Sequence, residues 1–144
     1  VKKSIEMEDA KRLSKAATYA EFAKKIGQNK ARLLELLREV KSKGKRIVGY
    51  GAPAKGNTLL NYFQIGPEML DYIVDDSPWK QGLYTPGTHV PIVAAREILT
   101  DNPPSVLVTA WNFYDEIRDR LRAWGYRGDI VRALPIWHVD NGGL

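Results

Sequence analysis

The sequence predicts an α/β fold: a Rossmann-like, mainly parallel sheet with flanking helices, preceded by a long N-terminal helix. Two observations carry this. Beyond Gly44, short apolar runs alternate with segments of helical spacing, and parallel strands need crossovers of that kind. The first apolar run also opens into a Gly-x-Gly turn, Gly49-Tyr50-Gly51, followed directly by a helical pattern. That is the strand–turn–helix context in which such turns hold phosphates.

The elements follow in order. Residues 6–16 read as a short helix and residues 19–43 as one long helix. Thr18 and Glu21 have capping-box spacing, in which each side chain satisfies an orphan amide. Tyr19, Phe22, Ala23, Ile26, Leu33, Leu34, Leu37 and Val40 recur at three- and four-residue intervals, which predicts one buried stripe. Lys41 and Lys43 suit the negative helix end, and Gly44 suits a left-handed cap. Strands are expected at 46–50, 70–76, 89–93, 105–111 and 129–135. Helices are expected at 53–63, 94–100 and 113–125. The last of these buries Ile117, Leu121 and Trp124 and sends Asp115, Arg118, Asp119 and Arg122 to solvent. Trp111, Trp124 and Trp137 read as core or interface residues. Two units are expected, a helical segment at 1–44 lying on the core and a Rossmann-like domain at 45–144.

Composition narrows the function classes. With 144 residues, 44% hydrophobic and 27% charged, the chain suits one domain with a real core. No apolar run reaches the roughly 20 residues of a membrane span, so no membrane partner is expected. The absence of cysteine excludes disulfides and thiolate metal sites, and a reducing cytoplasm is the default location. The opening "VKKSIEMED" shows no secretory segment and reads as if cut from something longer. Residues 1–46 carry 14 Lys/Arg against 6 Asp/Glu, and residues 47–144 carry 8 against 11. A basic arm can lie on nucleic acid, but interspersed acids and sparse aromatics favour a solvated helix face. No nucleic-acid partner is expected.

The turn is the main candidate site. Gly49-Tyr50-Gly51-Ala52-Pro53-Ala54 fits G-x-G-x-x-G/A with alanine last. One glycine permits the tight turn, the next permits close approach of a phosphate, and the helix N-terminus attracts anions. Pro53 suits the first helical turn, and Lys55 adds a cation. Lys55-Gly56-Asn57 reverses the Gly-Lys-Ser/Thr order of a Walker A loop, which argues against an NTPase. Asp75 and Asp76 fall where an acidic residue meets a ribose hydroxyl in dinucleotide folds. Adjacent strand residues point to opposite faces, so the two meet one ligand only if the strand has ended. His89 and His138 are the only histidines, and no H-E-x-x-H or G-x-S-x-G occurs. The residues alone leave open a sugar-nucleotide site, an NAD(P)- or CoA-binding module, and a docking domain without ligand.

The segments "GYGAPAKGNTLLNYF", "DYIVDDSPWKQGLYTPGTHVPI", "VTAWNFYDEI" and "ALP", in this order, resemble the C-terminal domain of S-adenosylmethionine-dependent nucleotide-sugar C-methyltransferases. The resemblance runs from about Thr18 to Pro135. It implies a larger enzyme acting on a nucleotide-linked deoxyketosugar, with zinc in an N-terminal part and S-adenosylmethionine in a central domain. The nucleotide-sugar would sit between that central domain and this one, and the acid/base residues would be central. No cofactor, metal or catalytic residue is then expected in this segment, which would be inactive alone. Gly49, Tyr50, Gly51, Ala52, Lys55, Gly56 and Asn57 match the family's first motif. Asp75, Asp76, Lys80 and Gly82 match the second, and Pro86, Gly87, Thr88 and His89 the third. The resemblance implies that these bind the nucleotide-sugar.

Overall fold

Helix periodicity gives way to short buried strands after Gly44, and the computed structural model of the chain turns that change into a six-stranded sheet. It describes residues 1–134 and 138–142. Helices α1 (Lys2–Ala10) and α2 (Ala16–Ser42) come first. Strand β1 (Ile47–Tyr50), helix α3 (Ala54–Phe63) and strands β2 (Ile73–Asp75) and β3 (Ile92–Ala94) follow. The chain continues through α4 (Glu97–Asp101), β4 (Ser105–Val108), a 3-10 turn (Trp111–Phe113) and α5 (Tyr114–Ala123). It closes with β5 (Asp129–Arg132) and β6 (His138–Asp140).

Strand order is β3-β2-β1-β4-β5-β6. All neighbours pair in parallel except β6, which runs antiparallel to β5. The order reverses between β1 and β4, so the crossovers leave these strands towards opposite edges. Alternate residues of each strand then feed two cores, because successive side chains point to opposite faces. Ile47, Ile73 and Leu107 meet Leu33 and Leu37 of α2 and Leu59, Leu60 and Phe63 of α3. Val48, Val74, Val106 and Val108 meet Ile98 of α4 and Ile117 and Leu121 of α5. Every residue of β1, β2 and β4 is buried, as strands covered on both faces must be. Among the described residues no helix is long and apolar enough to cross a membrane.

Several expectations need correction. Thr18 lies inside α2, whose N-cap is Lys15, and its hydroxyl donates to the Arg12 carbonyl, so there is no capping box. The expected stripe of α2 is buried only in its second half. Leu33 and Leu37 are fully covered, while Tyr19 and Phe22 are 56% and 63% exposed. The reason is length. At about 1.5 Å per residue a 27-residue helix far outruns four-residue strands, and its first three turns overhang the sheet. Asn29 marks where contact begins, its amide donating to the Ala133 carbonyl at 2.8 Å. The 70–76, 105–111 and 129–135 runs each shorten to three or four paired residues, the 89–93 run shifts to Ile92–Ala94 so that the following helix starts only at Glu97, and β6 was not expected. Pro135 and Trp137 lie outside the described residues. Trp111 and Trp124 are half-buried. Arg122 is not sent to solvent: its guanidinium donates to the Tyr126 and Gly128 carbonyls and pairs with Asp140 at 2.8 Å, tying α5 to β6.

Candidate functional site

The reversal point of a parallel sheet leaves a crevice beyond the strand ends, and here that crevice is built by the Gly49–Asn57 turn. Gly49 sits on the buried face of β1, where a Cβ would come within 2.6 Å of Ile73 Cγ1. Gly51 adopts φ of 89°, and a Cβ there would lie 2.6 Å from Ala110 Cβ. Both glycines are therefore required by packing, before any ligand is considered. Gly56 packs less tightly, with a Cβ there 3.1 Å from Pro53 Cδ and 3.3 Å from the Thr109 carbonyl. The Thr109 hydroxyl donates to the carbonyls of Tyr50 and Gly51, which fastens the end of β4 to the turn.

Asp75 ends β2 and is 7% exposed. Its carboxylate accepts from the Ala52 amide at 2.7 Å and the Ser77 amide at 2.9 Å, and pairs with Lys80 at 3.1 Å. Burial pushes this carboxyl up, but the two amides and the Lys80 ammonium together hold it below its ordinary value. Asp75 thus occupies the turn's own amide and orients the loop after β2. Asp76 follows the strand's end, so the condition for both aspartates to face one hollow is met. Arg120 of α5 donates to Asp76 at 2.6 Å, to Glu116 at 3.1 Å and to the Tyr50 hydroxyl at 3.2 Å. Burial first, and the Asp76 charge second, raise the Tyr50 phenol, so it remains a donor at neutral pH. Hydrogen bonding to Asp76 raises the Arg120 guanidinium.

These groups rim a cleft of about 300 Å³. Gly51, Pro53, Ala110, Ile117 and Phe113 give it an apolar lining, Phe113 the most exposed of them. Phe113, at the end of the 3-10 turn, and Glu116, Ile117 and Arg120 of α5 face it at helical spacing. Sequence reading placed no chemistry on this helix; the available signal was the Glu116/Arg120 pair four residues apart beyond the strongest buried strand.

The other predicted residues fall elsewhere. Lys55 is exposed and lies 5.9 Å over the Trp111 ring, facing a second, apolar groove of about 310 Å³ on the α2–α3 side. Ile26, Thr58, Leu59 and Tyr62 line the same groove. Asn57 has a buried side-chain oxygen that accepts no hydrogen bond. One turn on, Asn61 donates to the carbonyls of Asn57 and Pro86, so Pro86 and Gly87 brace α3. Thr88 hydrogen-bonds Thr85 at 2.8 Å, and His89 holds a left-handed φ of 55° before β3. Gly82 is left-handed too, and its amide donates to the Ile92 carbonyl. The structure therefore brings together Tyr50, Gly51, Ala52, Asp75, Asp76 and Lys80, and separates them from Lys55 and from the Gly82–His89 loop. No side chain caps α3, which begins after Pro53, and its first amides lack intrahelical acceptors.

Residues 1–135 match the protein family described as the C-methyltransferase C-terminal domain. The C-methyltransferase NovU of Streptomyces niveus is 37% identical over 101 residues, covering 70% of this chain and 24% of that protein. The aligned stretch is thus a minor part of that relative's length. Among solved structures, UDP-D-quinovosamine 4-dehydrogenase from Vibrio fischeri gives a TM-score of 0.42 at 21% identity, over 61% of this chain and 76% of that one.

Proposed function

The chain belongs to the C-methyltransferase C-terminal domain family, and on that premise we propose that it holds the nucleotide-linked deoxyketosugar substrate of an S-adenosylmethionine-dependent C-methyltransferase. The observation that carries the reading is the crevice at the β1/β4 reversal point, the position where open parallel sheets take ligands. The substrate lies across the turn, with its diphosphate towards the uncapped start of α3, where dipole and Lys55 favour an anion.

The residues present act by holding and orienting. Asp75 fixes the turn, the buried Tyr50 hydroxyl donates to Asp76, and Asp76 and Glu116 are acceptors held in place by Arg120. S-adenosylmethionine supplies the methyl group from a separate domain of the same polypeptide, and the base that removes the sugar's α proton belongs there too. The family resemblance assigns zinc to an N-terminal part, and this chain offers no cysteine to hold it.

Calorimetric titration of a dTDP- or UDP-linked deoxyketosugar into this chain tests the proposal. The sugar nucleotide should bind, S-adenosylmethionine should not, and no methyl transfer should occur with both present. Lys55→Ala should weaken sugar-nucleotide binding by about fivefold or less, because an exposed pair contributes only about 0–1 kcal/mol. Tight binding of S-adenosylmethionine, NAD(P)H or coenzyme A in place of the sugar nucleotide would overturn the assignment.

A further inference from the structure

Resting on that reading, we infer that the cleft between the β2 end and α5 receives the nucleoside half of the substrate and excludes its diphosphate. Charge decides this. Three carboxylates, Asp75, Asp76 and Glu116, line the cleft; Lys80 answers Asp75, which leaves Asp76 and Glu116 against the one lining cation, Arg120. Arg120 already has its charge matched, by Asp76 at 2.6 Å and Glu116 at 3.1 Å. A phosphate entering here meets a cation that is taken and carboxylates that repel it. A neutral group that donates hydrogen bonds meets the reverse: Asp76 and Glu116 side chains are 56% and 65% exposed, with acceptor capacity left over.

Shape supports the same occupant. The lining of Gly51, Pro53, Ala110 and Ile117 is apolar and close to the backbone. The Phe113 ring beside it is 57% exposed. A flat base can stack on that ring while ribose or base N–H and O–H groups reach the carboxylate rim. The volume, about 300 Å³, is at the lower end of ligand sites and suits part of a sugar nucleotide better than the whole. Arg120 is then a positioning residue: its guanidinium bridges Asp76 and Glu116 and fixes where their free oxygens face.

The test is a titration of isotope-labelled chain, followed by NMR, with uridine, thymidine, UMP, inorganic pyrophosphate and a UDP-linked sugar. Uridine or thymidine should shift the Ile117 methyl, Phe113 ring and Arg120 guanidinium signals, and UMP should bind no more than a few-fold tighter. Pyrophosphate at millimolar concentration should leave these signals in place. Phe113→Ala should weaken nucleoside binding about tenfold, in the range of base–aromatic stacking, with the melting temperature unchanged because the ring is largely exposed. Glu116→Gln, which leaves Arg120 a partner short, should tighten UMP relative to uridine. Pyrophosphate shifting the cleft signals, or Phe113→Ala leaving nucleoside affinity intact, overturns the inference. A UDP-linked sugar that binds but shifts only Lys55, Trp111 and Tyr62 also overturns it, while the family-based reading stands. Absence of binding by every nucleotide and sugar nucleotide overturns both.

Discussion

Gly51→Ala puts the geometry of the reversal point to a quantitative test. The new methyl meets two obstacles. A Cβ at φ of 89° sits in a region that costs an L-residue about 1–2 kcal/mol. It also lies 2.6 Å from Ala110 Cβ and 3.4 Å from the Ala110 amide nitrogen, and overpacking of this kind costs about 1–3 kcal/mol. Ala110 cannot retreat cheaply, because its amide donates to the Tyr50 carbonyl and Thr109 anchors the same turn. Together the loss is about 2–5 kcal/mol. For 144 residues the unfolding entropy is about 0.3 kcal/mol/K, so the melting temperature should fall by about 7–17 °C. Thermal melts by circular dichroism measure it. Gly51→Ala combined with Ala110→Gly removes the collision but keeps the backbone strain, so about half the loss should return. A single mutant melting within about 2 °C of wild type, or a double mutant melting below both single mutants, would refute the claim that β4 and the turn are in enforced contact.

Three further outcomes are expected. Asp75→Asn should destabilise the chain by about 1.5–3 kcal/mol at pH 7, the range for hydrogen bonds to a charged group, and should flatten its acid unfolding. The sign follows from the lowered folded value: stability from the Asp75 charge is fully present above the unfolded carboxylate range near ~4 and is lost as pH falls through the folded value. Urea midpoints at pH 7 and pH 3 should therefore differ less in the mutant than in wild type. Arg122→Ala leaves the Tyr126 and Gly128 carbonyls and Asp140 without their shared donor. Amide exchange in β6 should rise well before that in β4, at a global cost of about 1–3 kcal/mol. Tyr19→Ser with Phe22→Ser should change the unfolding free energy by less than about 0.5 kcal/mol, because both rings are exposed; a loss comparable to Leu33→Ala, about 2–5 kcal/mol, would show that the stripe is covered after all.

The alternation of elements, the parallel sheet and the place of the Gly49–Gly51 turn were legible in the sequence, because each rests on local rules. Strand texture, helical spacing and turn glycines act within a few residues. The motifs shared with the family were equally legible. The fate of each motif residue was not. Lys55 and Asp75 stand in neighbouring motifs, yet one faces the α2–α3 groove and the other closes on the Ala52 amide. Helical period alone sends Arg122 outward with Arg118 and gives Arg120 no role. Only the packing of α5 over the reversal point turns Arg120 into the cleft and Arg122 onto β6. The same holds for Tyr19 and Phe22, whose spacing matches that of Leu33 and Leu37 but whose helix extends past the sheet that would cover them. The sequence by itself determined the order of the helices and parallel strands and where the turn falls, since those follow from local periodicity and backbone sterics. Tertiary structure alone decided which side chains share the cleft, because that depends on strand order and on where each helix ends, and both are set by contacts between residues far apart in the chain.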